Sequence, residues 1–249
     1  MTTTGDPIQL DLEAVNRQLG NAAAPDVVSW AVDTFPRGLV MTTSFGTQSA
    51  VLLHVVTRIV PDIAVIWIDT GFNFPETYRF ADQLAKQMDL NLKVYQAHQS
   101  PARMVALQGK LWEKGKSGLD AYDRQRKVEP RDRAFRELKV KAWLTGPRRE
   151  QTTFRQSLCK VELFNGAAKI HPILDWSTKQ VHAYLKRHDL PYHPLYELGY
   201  RSIGDWHSTV SVTGEMADRS GRFRGLKQEC GLHLPQTVDE NASRDSSAL

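Results

Sequence analysis

Two cysteines occur in the 249 residues, and they keep unlike company. Cys230 lies in Lys227-Gln228-Glu229-Cys230-Gly231-Leu232-His233, a polar and basic stretch, whereas a cysteine placed for packing more often sits among apolar residues. Arg224, Lys227 and His233 favour the thiolate, which is the nucleophilic form, and Glu229 opposes it. The pattern points to attack by sulfur, with the thiolate more accessible when this tail docks on a basic site. Cys159, between Leu158 and Lys160, is read as a packing residue. Two thiols make no disulfide framework, and a thiolate-built zinc or iron–sulfur site needs more of them. His171, His182, His188, His193 and His207 fall in one stretch but match no ligand spacing, so structural or substrate-contact roles are expected and no metal site.

A second set of residues could hold an anion. The loop Ser44-Phe45-Gly46-Thr47-Gln48-Ser49 follows an apolar run and precedes a helical pattern. Its glycine permits close backbone approach, its hydroxyls can donate, and the following helix offers free N–H groups and the positive end of its dipole. The plain alternative is a turn that uses Ser and Gly as turn formers. A second loop, Asp69 to Thr77, again sets a carboxylate (Asp69), a hydroxyl (Thr70) and polar groups at a strand end. Arg148 and Arg149 follow a third expected strand, where paired guanidiniums can meet phosphate or sulfate oxygens bidentately. The competing reading for either arginine is an ion pair with Glu150 or a carboxylate on the sheet.

These loops need a scaffold that brings strand ends together. Apolar spacing predicts helices over residues 10–19 and 26–35, then a strand in GLVMTTS (38–44) and a helix over 48–60. The unit repeats as a strand over 64–68, a helix over 75–88 opened by Pro75, and a strand over 92–96. A helix over 131–138, a strand over 142–145 and a helix over 176–188, capped by Asp175 or Ser177, follow. This alternation predicts an α/β fold, with a parallel or mainly parallel sheet and helices on both faces. Ligands then bind at the carboxyl ends of the strands. Beyond Pro194 the pattern fades into Gly, Ser, Arg and Glu, which predicts a flexible C-terminal tail.

The formal charge of +4 and pI near 9.0 suit an anionic partner, and the basic residues gather in 124–149 and 219–227. A small polyanion fits that better than a nucleic acid. With no apolar run of membrane-spanning length and no signal-peptide pattern, the expected location is cytoplasmic.

In the order of the chain, the two loops are joined by KVEP (127–130), TGPRREQ (145–151), HPILDW (171–176), YHPLY (192–196), GYRSIGDWH (199–207) and GLKQECGLH (225–233). Together they resemble the thioredoxin-dependent phosphoadenylyl-sulfate (PAPS) reductases of the sulfonucleotide reductase family, over residues 40 to 233. The resemblance implies a fold of the adenine-nucleotide α-hydrolase type. The ATP-using relatives carry SGGxDS, which this chain lacks, and that argues against adenylation of a substrate by ATP. Length and patterning predict a one-domain chain, with a helical cap over 1–36, a nucleotide-binding α/β unit over 37–210 and, by the resemblance, a catalytic tail over 211–249.

By the same resemblance, Cys230 attacks the sulfur of a sulfonucleotide to give an S-sulfocysteine, which thioredoxin or a glutaredoxin resolves to release sulfite in assimilatory sulfate reduction. Ser44 to Ser49, Asp69, Thr70, Lys127, Arg148, Arg149, Gly204, Trp206, His207 and His233 fall at the substrate, and a homodimer is expected. The relatives that reduce adenylyl sulfate hold a [4Fe–4S] cluster on cysteines where this chain has Tyr122-Asp123, Asp205 and Ser208. No bound cofactor and a 3′-phosphorylated substrate are therefore implied, with Arg131 or Arg133 as candidates to read the 3′-phosphate. Two alternatives stand beside this: a cluster-free adenylyl-sulfate reductase, and a non-catalytic nucleotide-binding regulatory module.

Overall fold

The computed structural model describes residues 10–212 together with 221 and 222. Leu12–Leu19 (α1) and Ala24–Thr34 (α2) precede a run of strands and helices: Leu39–Thr43 (β1), Ser49–Thr57 (α3), Val65–Ile68 (β2), Pro75–Gln87 (α4) and Leu92–Tyr95 (β3). Pro101–Gln108 (α5), Gly115–Asp123 (α6) and Glu129–Glu137 (α7) lead to Ala142–Leu144 (β4). Thr153–Gln156 (α8), Val161–Phe164 (β5), Ala167–Ile170 (β6) and Thr178–Arg187 (α9) complete the set. The sheet order is β3-β2-β1-β4-β6-β5, parallel except for β5 against β6.

Period-two patterning explains the two-sided packing. Leu39, Met41, Val65, Ala142 and Leu144 join the larger core under α2, α3, α4 and α9, and Val40, Ile66 and Trp143 face the other way onto Ala134 and Phe135 of α7. Each large side chain so buried, such as Leu53 or Phe80, stabilises the fold by about 1.5–3 kcal/mol.

Local chemistry sets the ends of several elements. Asp11 caps α1, accepting from Ala14 N at 3.0 Å. Of the two candidate caps for α9 the chain uses Ser177, whose hydroxyl accepts from Gln180 N while Gln180 Oε1 accepts from Ser177 N. The hairpin β5–β6, which the periodicity missed, turns on Asn165 and Gly166, both at positive φ. Its outer strand is met by α1, where Asn16 donates to Val161 O at 2.8 Å and accepts from Val161 N at 2.9 Å. Also unforeseen are α5 and α6 and the π-helical turn Arg124–Val128 that runs into α7. Among the described residues no helix is long and apolar enough to cross a membrane.

Cys159 corrects an expectation. It is exposed rather than packed, its N–H 3.3 Å from Glu162 Oε1.

Candidate active site

The chain leaves β1 toward β2 on one side, while β4 flanks β1 on the other, so the loops after β1 and β4 diverge at one point of the sheet. Such a switch point opens a crevice. Here it is a cleft of about 260 Å³. Ser44, Gly46, Thr47, Gln48 and Ser49 line it, and Phe45 does not. Phe45 turns into the core at φ 46°, fully buried, its ring edge-on to Trp67 with centroids 5.0 Å apart. It anchors the loop, and the residues beside it face the cleft. Gln48 caps α3 with no side-chain hydrogen bond and instead accepts from Arg148 Nη2 at 2.9 Å. Later segments strap the same loop, with His193 N donating to Thr47 O and Thr47 Oγ1 donating to Arg201 O, at 3.1 and 3.0 Å.

Asp69 and Thr70 part company. Asp69 Oδ1 accepts from Gly71 N, Asn73 and Tyr78, and Oδ2 from Gln96, so it organises the second loop rather than lining the cleft. Burial, then the Asp69 hydrogen bond, pushes the Tyr78 hydroxyl up to about 12. Gly71 lies at φ 75°, where a Cβ would strike Pro101. Thr70 lines the cleft and donates to Asp205.

The π-helical turn separates Arg126 from Lys127, which spacing alone could not. Arg126 is buried away from the cleft, donating from Nε to Thr70 O at 2.8 Å and from Nη1 to Gln99 O. Lys127 reaches the cleft wall between Asp123 and Asp205. Burial alone would raise the Asp205 carboxyl, but Lys127, His207 and Thr70 outweigh it and hold it well below the usual carboxylate range. Gly204 also lines the cleft, and a Cβ there would overlap the Arg222 guanidinium.

His207 and Trp206 do not line the cleft. His207 stacks on Trp112, centroids 4.0 Å apart, and burial pushes its imidazole down to about 4, so it is neutral at pH 7. Trp206 is 48 % exposed, with its backbone N–H donating to Phe72 O at 2.9 Å. Tyr122, Asp123, Asp205 and Ser208 thus converge behind Lys127, the ring of Tyr122 lying 5.2 Å from its ammonium and Ser208 Oγ donating to Asp205 O.

The two neighbouring arginines also diverge. Arg148 is buried in the cleft wall and held by Gln48, Glu150, Trp176 O and Thr178. Arg149 points away to Asp175, 2.6 Å from Nε, and to the carbonyls of Gln156 and Leu158. The second guanidinium from this region is Arg155 of α8, buried, donating to Gln151 and lining the cleft. Sequence reasoning passed over it because a four-residue helix leaves no periodic trace. Arg201 and Arg222 line the cleft as well, and were named only as parts of longer segments. Arg131 lines it, whereas Arg133 sits outside on Glu129 and Gln96 O. Cys230 and His233 lie outside the described residues.

A profile of the phosphoadenosine phosphosulfate reductase domain family matches residues 38–211. The chain belongs to this family. A phosphoadenosine 5′-phosphosulfate reductase of Synechocystis sp. is 56 % identical over 243 residues, covering 97 % of this chain and 98 % of the relative. One from Synechococcus sp. is 54 % identical over 225 residues, 90 % of this chain and 97 % of the relative. Among solved structures, the PAPS reductase of Candida auris, described as a phosphate complex, is similar at a TM-score of 0.72 and 37 % identity, over 82 % of this chain and 100 % of its own. FMN adenylyltransferase of Candida glabrata, 14 % identical at a TM-score of 0.56, covering 84 % of this chain and 71 % of its own, shares the fold alone. The family membership and the mainly parallel, two-faced α/β sheet agree with the resemblance read from the motifs.

Proposed function

We propose that this chain reduces 3′-phosphoadenylyl sulfate to sulfite and adenosine 3′,5′-bisphosphate in sulfate assimilation, with thioredoxin or a glutaredoxin as reductant. The observation that carries the reading is the cleft itself: Lys127, Arg131, Arg148, Arg155, Arg201 and Arg222 line it around the first turn of α3, at the switch point of the sheet. Helix N-termini and guanidiniums are what a ligand with several phosphate and sulfate oxygens requires. The names of relatives covering nearly the whole chain at 54 to 56 % identity support the same substrate.

In the reaction so read, the Cys230 thiolate forms a bond to the sulfonate sulfur as the S–O bond to the nucleotide breaks, and adenosine 3′,5′-bisphosphate leaves with the electron pair. One thioredoxin thiolate then attacks the sulfur of Cys230 and expels sulfite. Its second thiol resolves the mixed disulfide, returning Cys230 and leaving thioredoxin oxidised. The covalent step divides one displacement into two, and the cleft cations stabilise charge on the leaving group.

Preference for the 3′-phosphorylated substrate is supported by the residues around Lys127. Tyr122, Asp123, Asp205 and Ser208 stand where the adenylyl-sulfate-reducing relatives carry cluster cysteines, and they offer carboxylates and hydroxyls in place of thiolates. Arg131, in the lining, is the better of the two candidates to read the 3′-phosphate.

The test is sulfite release from 3′-phosphoadenylyl sulfate and from adenylyl sulfate, with reduced thioredoxin, by the chain and by Cys230→Ser. Sulfite from the first substrate alone, lost in the variant, is expected. Equal release from both substrates would favour a cluster-free adenylyl-sulfate reductase, and tight nucleotide binding without sulfite would favour a regulatory module.

A further inference from the structure

A cleft for a polyanion should not contain carboxylates, yet Asp205 stands in the wall of this one, and Asp123, outside the lining, meets the same lysine. Lys127 Nζ lies 3.0 Å from Asp123 Oδ1 and 2.9 Å from Asp205 Oδ2, with the lysine side chain 8 % exposed and the carboxylates 4 % and 2 %. Each carboxylate is itself placed. Asp123 sits one α/π turn before Lys127 on a continuous helical segment. Asp205 receives the Thr70 hydroxyl, and the chain around it is tied by Trp206 N to Phe72 O and Ser208 N to Asp205 O. Thr70 Oγ1 in turn accepts from Phe72 N at 3.2 Å, so the second loop and the 204–208 segment brace one another.

Carboxylates set against a cleft lysine do not serve ground-state affinity for an anion. They can serve aim. An ammonium on a flexible four-carbon stem has three rotatable donors and no plane, so without partners it follows whatever anion is near. Held by two buried carboxylates it keeps one position as the substrate's charge shifts, and fixed dipoles and charges act on a transition state without reorganising.

We propose that Asp205 and Asp123 are positioning residues that fix the Lys127 ammonium at the cleft wall, with Thr70 holding Asp205, for charge that develops during group transfer. This rests on the reading that the cleft takes a sulfonucleotide. The carboxylates sacrifice affinity for the bound nucleotide and gain rate at the transfer step.

Asp205→Asn is the direct test, because it keeps the shape of the side chain, removes its charge and leaves Asp123 on Lys127. Two quantities move in opposite directions. The kcat for sulfite release should fall about ten-fold or more. The dissociation constant of adenosine 3′,5′-bisphosphate, measured by calorimetry, should drop by roughly three- to ten-fold as a repelling charge is removed. Asp123→Asn should do the same on a smaller scale, and it carries the test if Asp205→Asn does not fold. In a Lys127→Met background, adding Asp205→Asn should change kcat by less than about two-fold, since the residue it aims is gone. Weaker nucleotide binding in Asp205→Asn, or an undiminished kcat loss with Met at 127, would overturn the proposal. A parent chain that makes no sulfite would instead refute the proposed function, so the two failures are distinguishable.

Discussion

The two walls of the cleft hold their cations by different means. On the β4 side, Arg148 is fixed by Gln48, the Trp176 carbonyl, Thr178 and the half-exposed Glu150, mostly neutral acceptors spread around a planar fork. On the α6–α7 side, Lys127 is fixed by two buried carboxylates. A guanidinium with five donors in a rigid frame can be oriented by carbonyls and amides, and its charge stays available to a ligand. An ammonium has no frame, so its orientation must be imposed by charge, which partly cancels its own. One wall is thus suited to binding, the other to a change in charge.

The largest effect that separates them comes from Arg148. Arg148→Ala should lower kcat/KM by about 10²–10³, mainly through KM, in a sulfite-release assay. Arg148→Lys restores the charge but not the fork, and should remain at least about ten-fold down. Full activity in Arg148→Lys would remove the distinction between the walls.

Acid should weaken the Lys127 wall and the β1 loop over the same range. Burial pushes His207 behind it, and His193 under the β1 loop, down to about 4. A histidine with a lowered folded value takes its proton more readily when unfolded. Its contribution is therefore complete above about pH 6.5 and lost as pH falls to about 4. Asp205, also held low, adds loss in the same direction at still lower pH. The unfolding free energy from urea titrations should fall between pH 6.5 and 4, on the order of 2 kcal/mol for each histidine, and His207→Leu should flatten the curve in part. A flat profile in the parent chain would mean that His207 is not held neutral.

The smallest effect belongs to Cys159, which is not in the cleft lining and is exposed beside α1. Cys159→Ser should leave sulfite release unchanged and stability within about 0.5 kcal/mol. Loss of activity there would break the assignment of the chemistry to the other cysteine.

What the residues disclosed in advance has a physical pattern. The four strands β1 to β4 lie within one or two residues of their expected spans, because each is an apolar run ending at a loop that must turn. The β5–β6 hairpin was missed although its Asn165-Gly166 turn was written in the chain, since four-residue strands with Glu162 and Lys169 inside them dilute the alternation. In the cleft, the strand-end loops were legible from position alone. Which of two adjacent residues faces inward was not: Phe45 against Gly46, Asp69 against Thr70 and Arg148 against Arg149 are each decided by partners far along the chain. The convergence of Asp123, Lys127 and Asp205 spans some eighty residues and leaves no local mark.

The pairing of Asn16 with Val161 has a consequence of another kind. β5 is an outermost strand, with a row of donors and acceptors that could in principle enlist a strand from any passing molecule. Asn16 answers both backbone groups of Val161 with a side-chain amide, in the way a neighbouring strand would. A foreign strand arriving at that position must first evict α1, so the short helix at the start of the described chain acts as a guard against promiscuous self-association.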